Sequence, residues 1–203
     1  MKIRKIIKII KIVKKNKRDK MIEVEVKAKI KDFNSVKKML KEINAEKSHA
    51  EHQKDSYFNS PIKDFAKTDE ALRIRKVNVN KKEKIFITYK GPKIDAESKT
   101  REEIEVRIED SDKVAKIFEH LGFKKVANVI KNRTIYHFNQ YIISLDEVEG
   151  LGPYMEIETD LEDGNDFKEE LNKIFDIFKK LGIEKGFERT SYLELLEDKK
   201  SKK

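Results

Sequence analysis

Strict alternation of apolar and charged residues is the feature of this sequence that most limits its fold. Over residues 22–30 every even-numbered position is apolar, while the odd-numbered ones are Glu23, Glu25, Lys27 and Lys29. Because successive side chains of a β-strand point to opposite faces, this segment predicts a strand with one apolar and one charged face. Further strands are predicted at 71–77, 84–90, 101–108, 126–138, 141–148 and 154–159.

Three amphipathic helices are expected between these strands. Apolar residues recur at helical spacing over 32–44, 111–121 and 166–181, and glycines at 122 and 182 close the last two. The segment 49–59 is ambiguous, with a strand at 56–58 as one interpretation. We expect a loop over 61–70 and interpret the last short element, 189–196, as a strand. These elements predict an α+β domain with a mostly antiparallel sheet.

The positive charge of the chain is concentrated in its first twenty residues. The formal net charge is +9, and residues 1–20 hold ten Lys or Arg and one acid, so the other 183 residues are neutral overall. We expect a basic leader at 1–20, one domain over 21–196 and a frayed Lys-rich end at 197–203. The leader is interpreted as a tail, or as an artefact of a start that belongs at Met21. A basic amphipathic helix that binds an anionic membrane or nucleic acid is the alternative.

Several classes of protein are excluded by what the sequence lacks. There is no Cys, which rules out disulfides, thiolate nucleophiles and Cys-ligated zinc. No P-loop, nucleophile elbow or dinucleotide-binding fingerprint occurs. No apolar run is long enough to span a membrane, and no cleavage pattern of a secretory signal follows the leader, so a cytoplasmic location is expected. The sequence makes no prediction about the oligomeric state.

The charged strand faces carry like charges two positions apart. The pairs are Glu23 with Glu25, Arg73 with Arg75, Lys131 with Arg133, and Glu156 with Glu158. Such faces are either solvated surface or sites where a bound ion relieves the repulsion. Clustered carboxylates favour Mg²⁺ or Mn²⁺, and clustered Arg and Lys favour phosphate oxygens. If the faces point into one closed barrel, they form a cavity suited to a metal ion and a polyphosphate.

The order of these motifs resembles that of a known family. The first strand carries Glu-x-Glu-x-Lys at 23–27, and the motifs Asp-Ser-Tyr-Phe at 55–58, Leu-Arg-Ile-Arg at 72–75 and Thr-Tyr-Lys-Gly-Pro at 88–92 follow. Next come Arg101-x-Glu103-x-Glu105, Lys131-x-Arg133, Leu-Asp-Glu-Val-x-Gly-Leu-Gly at 145–152, and Glu156-x-Glu158. Together they resemble the CYTH family, or triphosphate tunnel metalloenzymes. The ending Ser-Tyr-x-Glu-Leu-Leu at 191–196 is similar to the class IV adenylate cyclase branch.

The resemblance implies a closed, eight-stranded, mostly antiparallel β-barrel with flanking helices and a charged interior. It also implies a dependence on Mg²⁺ or Mn²⁺. By matched position, the metal ligands would be Glu23, Glu25, Asp146, Glu156 and Glu158. The phosphate-binding residues would be Lys27, Arg73, Arg75, Lys90, Arg101, Lys131 and Arg133, of which Lys27, Lys131 and Arg133 are also the expected catalytic residues. Arg101 and Glu103 match the family pattern less closely.

Two reactions on a triphosphate are compatible with this set of residues. In hydrolysis, water attacks the terminal phosphorus of ATP, inorganic triphosphate or thiamine triphosphate. In cyclisation, the ribose 3′-hydroxyl attacks the α-phosphorus of ATP and pyrophosphate leaves. No aromatic or amide pair stands out as an adenine reader, so hydrolysis is favoured over the cyclase. A third hypothesis is a non-catalytic binder of polyphosphate, or of nucleic acid through the leader.

Overall fold

The computed structural model describes residues 21–94, 99–162 and 166–202, so the leader at 1–20 lies outside the described residues. Eight strands form in this part of the chain. They are β1 (Met21–Lys29), β2 (Glu46–Asn59), β3 (Ala71–Val79), β4 (Lys82–Lys90), β5 (Arg101–Ile108), β6 (Lys124–Phe138), β7 (Tyr141–Val148) and β8 (Gly152–Glu162). The seven strands predicted between residues 22 and 159 are therefore confirmed, and the ambiguous segment 49–59 belongs to one long strand.

The eight strands close into an antiparallel barrel in the order β1-β5-β4-β3-β2-β6-β7-β8, so the predicted fold class is confirmed. Neighbours in this order are only partly neighbours in sequence. Strand β1 lies between β5 and β8, and strand β2 lies between β3 and β6. The barrel closes where Glu25 of β1 lies opposite Glu158 of β8, and Lys27 opposite Glu156.

Five helices flank the barrel in the described part of the chain. They are α1 (Phe33–Glu42), α2 (Phe65–Thr68), α3 (Ser111–His120), α4 (Phe167–Lys180) and α5 (Tyr192–Ser201). Helices α1, α3 and α4 each begin after an aspartate whose carboxylate accepts backbone N–H groups of the first turn, a favourable N-cap. The predicted loop at 61–70 contains the single turn α2.

The prediction of a strand at 189–196 is wrong, because helix α5 begins at Tyr192. The Ser191 hydroxyl accepts the N–H of Glu194 at 3.2 Å, and the Glu194 carboxylate accepts the N–H of Ser191 at 2.6 Å. This reciprocal capping box satisfies two backbone donors and fixes the start of a helix. The helix continues through Ser201, so residues 197–201 of the expected frayed end are helical.

From Ile22 to Ala28 strand β1 is buried on both faces, each in a different environment. The apolar face, including Val24 and Val26, packs against Leu171, Ile174 and Phe178 of α4 in the main hydrophobic core. Each large side chain buried there contributes roughly 1.5–3 kcal/mol to folding. The charged face of the same strand points into the barrel. The hydrophobic core therefore lies between barrel and helices, and the barrel interior is left to charged residues.

Candidate functional site: a charged tunnel

A cavity of about 900 Å³ lies inside the barrel, and charged residues from seven of its eight strands line it. This volume is within the range of cavities that enclose a small organic ligand. All twelve site residues that the sequence predicts are buried or half-buried. Ten of them line the cavity, and the other two, Lys27 and Asp146, are buried beside it. These acids and bases lie far apart in sequence and form four clusters.

The first cluster is the acidic triad, which we define as Glu23, Glu25 and Glu158. Each of these residues offers a carboxylate oxygen, and the three oxygens lie within 4.8 Å of one another. Burial, together with the neighbouring carboxylates of Glu23 and Glu25, raises the pKa of Glu158 to about 8. The triad therefore offers three carboxylate oxygens close together, and a hard divalent cation bound there would favour the ionised form of Glu158.

Two lysines contact the acidic triad from the side of β4 and β5. The ammonium of Lys90 lies 2.5 Å from Glu23 and 2.6 Å from Glu103. The ammonium of Lys99 contacts Glu25 and lies 3.5 Å from Glu156. Lys99 comes from the connection between β4 and β5, and its backbone N–H donates to the carbonyl of Glu25 at 3.0 Å. These two lysines neutralise part of the charge of the triad.

The second cluster is centred on Asp146, which is fully buried. Its carboxylate accepts two hydrogen bonds from Arg133, at 2.7 and 2.6 Å, and one from Lys131 at 2.8 Å. Arg133 also contacts Glu156. Although burial opposes it, Arg133 and Lys131 hold the pKa of Asp146 below its ordinary value, so this residue is an anion paired with two cations.

The third cluster joins strands β2, β3 and β5. Asp55 accepts a bidentate pair of hydrogen bonds from Arg75, at 2.7 and 2.6 Å, and lies 3.5 Å from Arg73. Arg73 is also 3.6 Å from Glu103. Burial opposes ionisation of Asp55, but Arg75 and Arg73 hold its pKa well below the ordinary value. The carboxylate thus keeps two guanidinium groups side by side despite their mutual repulsion.

The fourth cluster lies where α5 meets the tunnel. The ammonium of Lys27 donates to the carbonyl of Thr190 and lies 4.1 Å from the ring centroid of Tyr192. Burial, with the nearby Lys99 ammonium, lowers the pKa of Lys27 to about 7. The same Tyr192 ring lies 5.1 Å from the ammonium of Lys131, and its hydroxyl donates to Asp146 at 3.1 Å.

The expected metal ligands are divided between two of these clusters. Glu23, Glu25 and Glu158 form the acidic triad, whereas Asp146 and Glu156 are paired with Arg133 and the tunnel lysines. Of the expected phosphate-binding residues, Lys27 and Arg101 differ from the others, because their side chains donate to backbone carbonyls. Lys27 donates to Thr190, and Arg101 donates to Lys99 and Gly91.

Three further residues of the tunnel have no role in the sequence prediction. Lys99 falls in the polar segment 93–100, and no sequence motif there indicates a functional residue. Asp55 belongs to the Asp-Ser-Tyr-Phe motif, which contributes to the family resemblance. The motif does not predict that Asp55 contacts Arg73 and Arg75. The helix that carries Tyr192 could have been predicted, because Ser191 and Glu194 have the spacing of a capping box, but the contacts of the Tyr192 ring could not.

The fold and the residues inside it together define a class of protein: a closed antiparallel barrel whose interior is lined by paired acidic and basic side chains. The comparison with known proteins agrees, since the CYTH domain matches residues 21–192. The chain belongs to the CYTH domain family. Among the described residues, no helix is both long and apolar enough to cross a membrane.

This chain matches most of the length of several known proteins. The Methanocaldococcus jannaschii protein named "Putative adenylate cyclase MJ0240" is 48% identical over 86% of this chain and 98% of its own. The Aeromonas hydrophila protein named "Adenylate cyclase CyaB" is 29% identical over 86% of this chain and 88% of its own. The structure of the PH1819 protein from Pyrococcus horikoshii has a TM-score of 0.82 and 45% identity, covering 87% of this chain and 99% of that one.

Proposed function

We propose that the protein is a divalent-metal-dependent enzyme that hydrolyses a triphosphate inside the tunnel. The observation that carries the proposal is the arrangement of the acidic triad beside buried cations in one cavity. Three carboxylates alone would suit many ions, and Arg and Lys alone would suit many anions. Their combination inside a closed barrel suits a polyphosphate that is bound together with a metal ion.

The acidic triad fits a Mg²⁺ or Mn²⁺ ion by the chemistry of its donors. Its three carboxylates are hard oxygen ligands, and two of them also neutralise a neighbouring lysine. When bound, such an ion would neutralise phosphate charge and polarise the attacking oxygen. Glu156 and Asp146 are the remaining carboxylates of the expected ligand set, and both are paired with Lys131 and Arg133. In the proposal they become free to bind metal when a substrate phosphate takes over these two cations.

The basic residues would bind and orient the substrate. Arg73 and Arg75 present planar guanidinium groups, which are suited to holding phosphate oxygens through paired hydrogen bonds. Lys90, Lys131 and Arg133 surround the same cavity, and all three are paired with carboxylates in the structure. A triphosphate carries several negative charges, so it would replace some of these carboxylates as the partner of the cations. Lys27, with its lowered pKa, would hold or transfer a proton near the leaving group.

A second candidate is a class IV adenylate cyclase, which would convert ATP to cyclic AMP and pyrophosphate. The names of the two relatives favour it, since both include the words adenylate cyclase. The tunnel clusters suit either reaction, because all of them are directed to phosphate and metal. The clusters include no group assigned to a base or ribose, and we therefore place hydrolysis first. Either activity is consistent with a cytoplasmic location, where ATP and Mg²⁺ are present.

The test is a turnover assay on purified protein with ATP and, separately, inorganic triphosphate and thiamine triphosphate. Each is incubated with Mg²⁺ or Mn²⁺, and products are followed by phosphorus NMR and nucleotide chromatography. Metal-dependent release of orthophosphate without cyclic AMP supports the proposal, and the fastest substrate identifies the triphosphate. Cyclic AMP with pyrophosphate establishes the cyclase instead. Metal-dependent binding of triphosphate without turnover leaves a sensor or scaffold.

A comparison of the full chain with residues 21–203, in nucleic-acid binding and in turnover, tests the role of the basic leader. Salt-sensitive binding of RNA or DNA by the full chain, absent from the shortened chain, would place nucleic-acid binding in residues 1–20. Tunnel turnover is expected to be unchanged by the truncation, since the described barrel begins at Met21.

A further inference from the structure

Lys99 is a cation that lies against two of the carboxylates expected to bind metal. Its ammonium contacts Glu25 of the acidic triad and lies 3.5 Å from Glu156, the second expected ligand on β8. The residue is buried, with 9% of its surface exposed. Among the described residues, Lys131 is the one other lysine that forms ion pairs with two of the expected metal ligands. Its partners are Asp146 and Glu156, which lie outside the triad.

The backbone of Lys99 is fixed while its side chain is able to move. The N–H of Lys99 donates to the carbonyl of Glu25 at 3.0 Å, which extends the pairing of β5 with β1 beyond Arg101. Four rotatable bonds separate this anchored backbone from the ammonium. The charged group can therefore exchange partners within a few ångströms without any movement of the barrel wall.

An ammonium and a divalent ion on the same carboxylate repel each other strongly at the reduced dielectric of a buried site. The ammonium of Lys99 therefore has to move away from Glu25 when a metal ion binds there. A phosphate oxygen of a bound triphosphate would then be a favourable new partner, because it is anionic and would lie in the cavity that Lys99 lines.

We propose that Lys99 takes the place of the divalent metal in the substrate-free protein and moves to a phosphate oxygen when metal and triphosphate bind. This inference rests on the metal site of the proposed function. It makes Lys99 both a competitor of the metal and a ligand of the substrate. Neutralising it should therefore change the two affinities in opposite directions, whereas a merely structural role would weaken both.

The experiment measures Mn²⁺ binding by the full chain, using the electron paramagnetic resonance signal of free Mn²⁺. Lys99→Met is expected to lower the Kd for Mn²⁺ by about tenfold or more, since a competing charge is removed. The matched control is Lys93→Met, on the same connection, because Lys93 contacts Asp69 and not the triad. Lys99→Arg keeps the charge and is expected to bind Mn²⁺ as the unchanged protein does.

The second measurement uses a triphosphate analogue with methylene groups in place of the bridging oxygens, titrated calorimetrically at saturating Mn²⁺. Here Lys99→Met is expected to weaken binding by about tenfold, the cost of one charged phosphate contact. Circular dichroism and the melting temperature establish that the variant is folded.

The outcomes separate this inference from the proposed function. Tighter Mn²⁺ binding with weaker binding of the analogue supports the exchange, as does Mn²⁺ binding that appears only in Lys99→Met. Equal Mn²⁺ affinity in Lys99→Met and the unchanged protein overturns the inference but leaves the metal site. Loss of both affinities in a folded Lys99→Met assigns the residue a structural role and overturns it too. If no variant binds Mn²⁺, the metal site of the proposed function fails, and the inference fails with it.

Discussion

The ring of Tyr192 lies against two lysines of the tunnel, 4.1 Å from the Lys27 ammonium and 5.1 Å from that of Lys131, while its hydroxyl donates to Asp146 at 3.1 Å. A side chain from the last helix therefore completes the interior of a barrel that begins some 170 residues earlier. Aromatic rings attract cations through their negative faces, and the effect grows when water is excluded. Helix α5 is thus bound to the tunnel by electrostatics as well as by packing.

This relationship predicts different costs for two substitutions of Tyr192. Tyr192→Phe keeps the ring and loses one hydrogen bond to a charged group, for an expected cost of about 1.5–3 kcal/mol. Tyr192→Ala removes the ring as well and should cost about 3–5 kcal/mol. Unfolding in urea provides the measurement. Equal costs for the two variants would show that the ring contacts with Lys27 and Lys131 contribute nothing.

Asp146 provides a prediction about buried charge. Asp146→Asn removes one of the two buried anions that Arg133 and Lys131 share, and leaves them only Glu156. Removing one partner of a buried ion pair typically costs about 3–5 kcal/mol. The control is Glu147→Gln, the next residue, whose side chain is exposed on the other face of β7. Thermal unfolding should show a large drop for the first variant and none for the second, and similar melting temperatures would argue against the observed pairing.

The alternation of the strands was enough to predict the charged faces, but not the partners of each charge. Glu25 lies near Glu158 and Lys99 only because β1 is inserted between β5 and β8, a pairing that no local pattern specifies. For the same reason the separation of Asp146 from the acidic triad was not predictable from its type or spacing. The short strand expected at 189–196 failed differently, since the capping box at Ser191 and Glu194 was visible and favoured a helix.

The acidic triad predicts the effect of a single carboxylate on metal dependence. Glu25→Gln removes one anionic ligand at nearly constant volume, so turnover at a fixed Mg²⁺ concentration should fall by about a hundredfold or more. Circular dichroism of the variant should match that of the unchanged protein, because the main apolar core lies outside the barrel. Turnover of the variant at the rate of the unchanged protein would remove Glu25 from the metal site.

Arg73 predicts an effect on substrate binding more than on chemistry. Its guanidinium is already held by Asp55 at 3.5 Å and Glu103 at 3.6 Å, so it is oriented toward the cavity before any ligand arrives. Arg73→Ala should raise KM for the triphosphate about tenfold to a hundredfold, with a smaller change in kcat. Arg107→Ala, at an exposed position of β5, is the control. Steady-state kinetics decide the matter, and unchanged KM and kcat would exclude Arg73 from the site.

The carboxylate of Glu70, which lines the cavity, should make the stability of the protein depend on pH. Glu70 accepts hydrogen bonds from Lys63 at 2.6 Å, from Thr68 at 2.6 Å and from the Tyr89 hydroxyl, and these donors lower its pKa to about 2. Its folded-state pKa is below the unfolded value, so its contribution is complete above about pH 5 and is lost as the pH falls toward 2.

Glu70→Gln should therefore destabilise the protein by about 1–2 kcal/mol at pH 6, and the difference should shrink to nothing near pH 2. Urea unfolding of both proteins across this pH range measures it. Glu83→Gln, at an exposed position of β4, should show no such trend. A difference between Glu70→Gln and the unchanged protein that stays constant from pH 6 to pH 2 would mean that the Glu70 carboxylate is not held as an anion by its three donors.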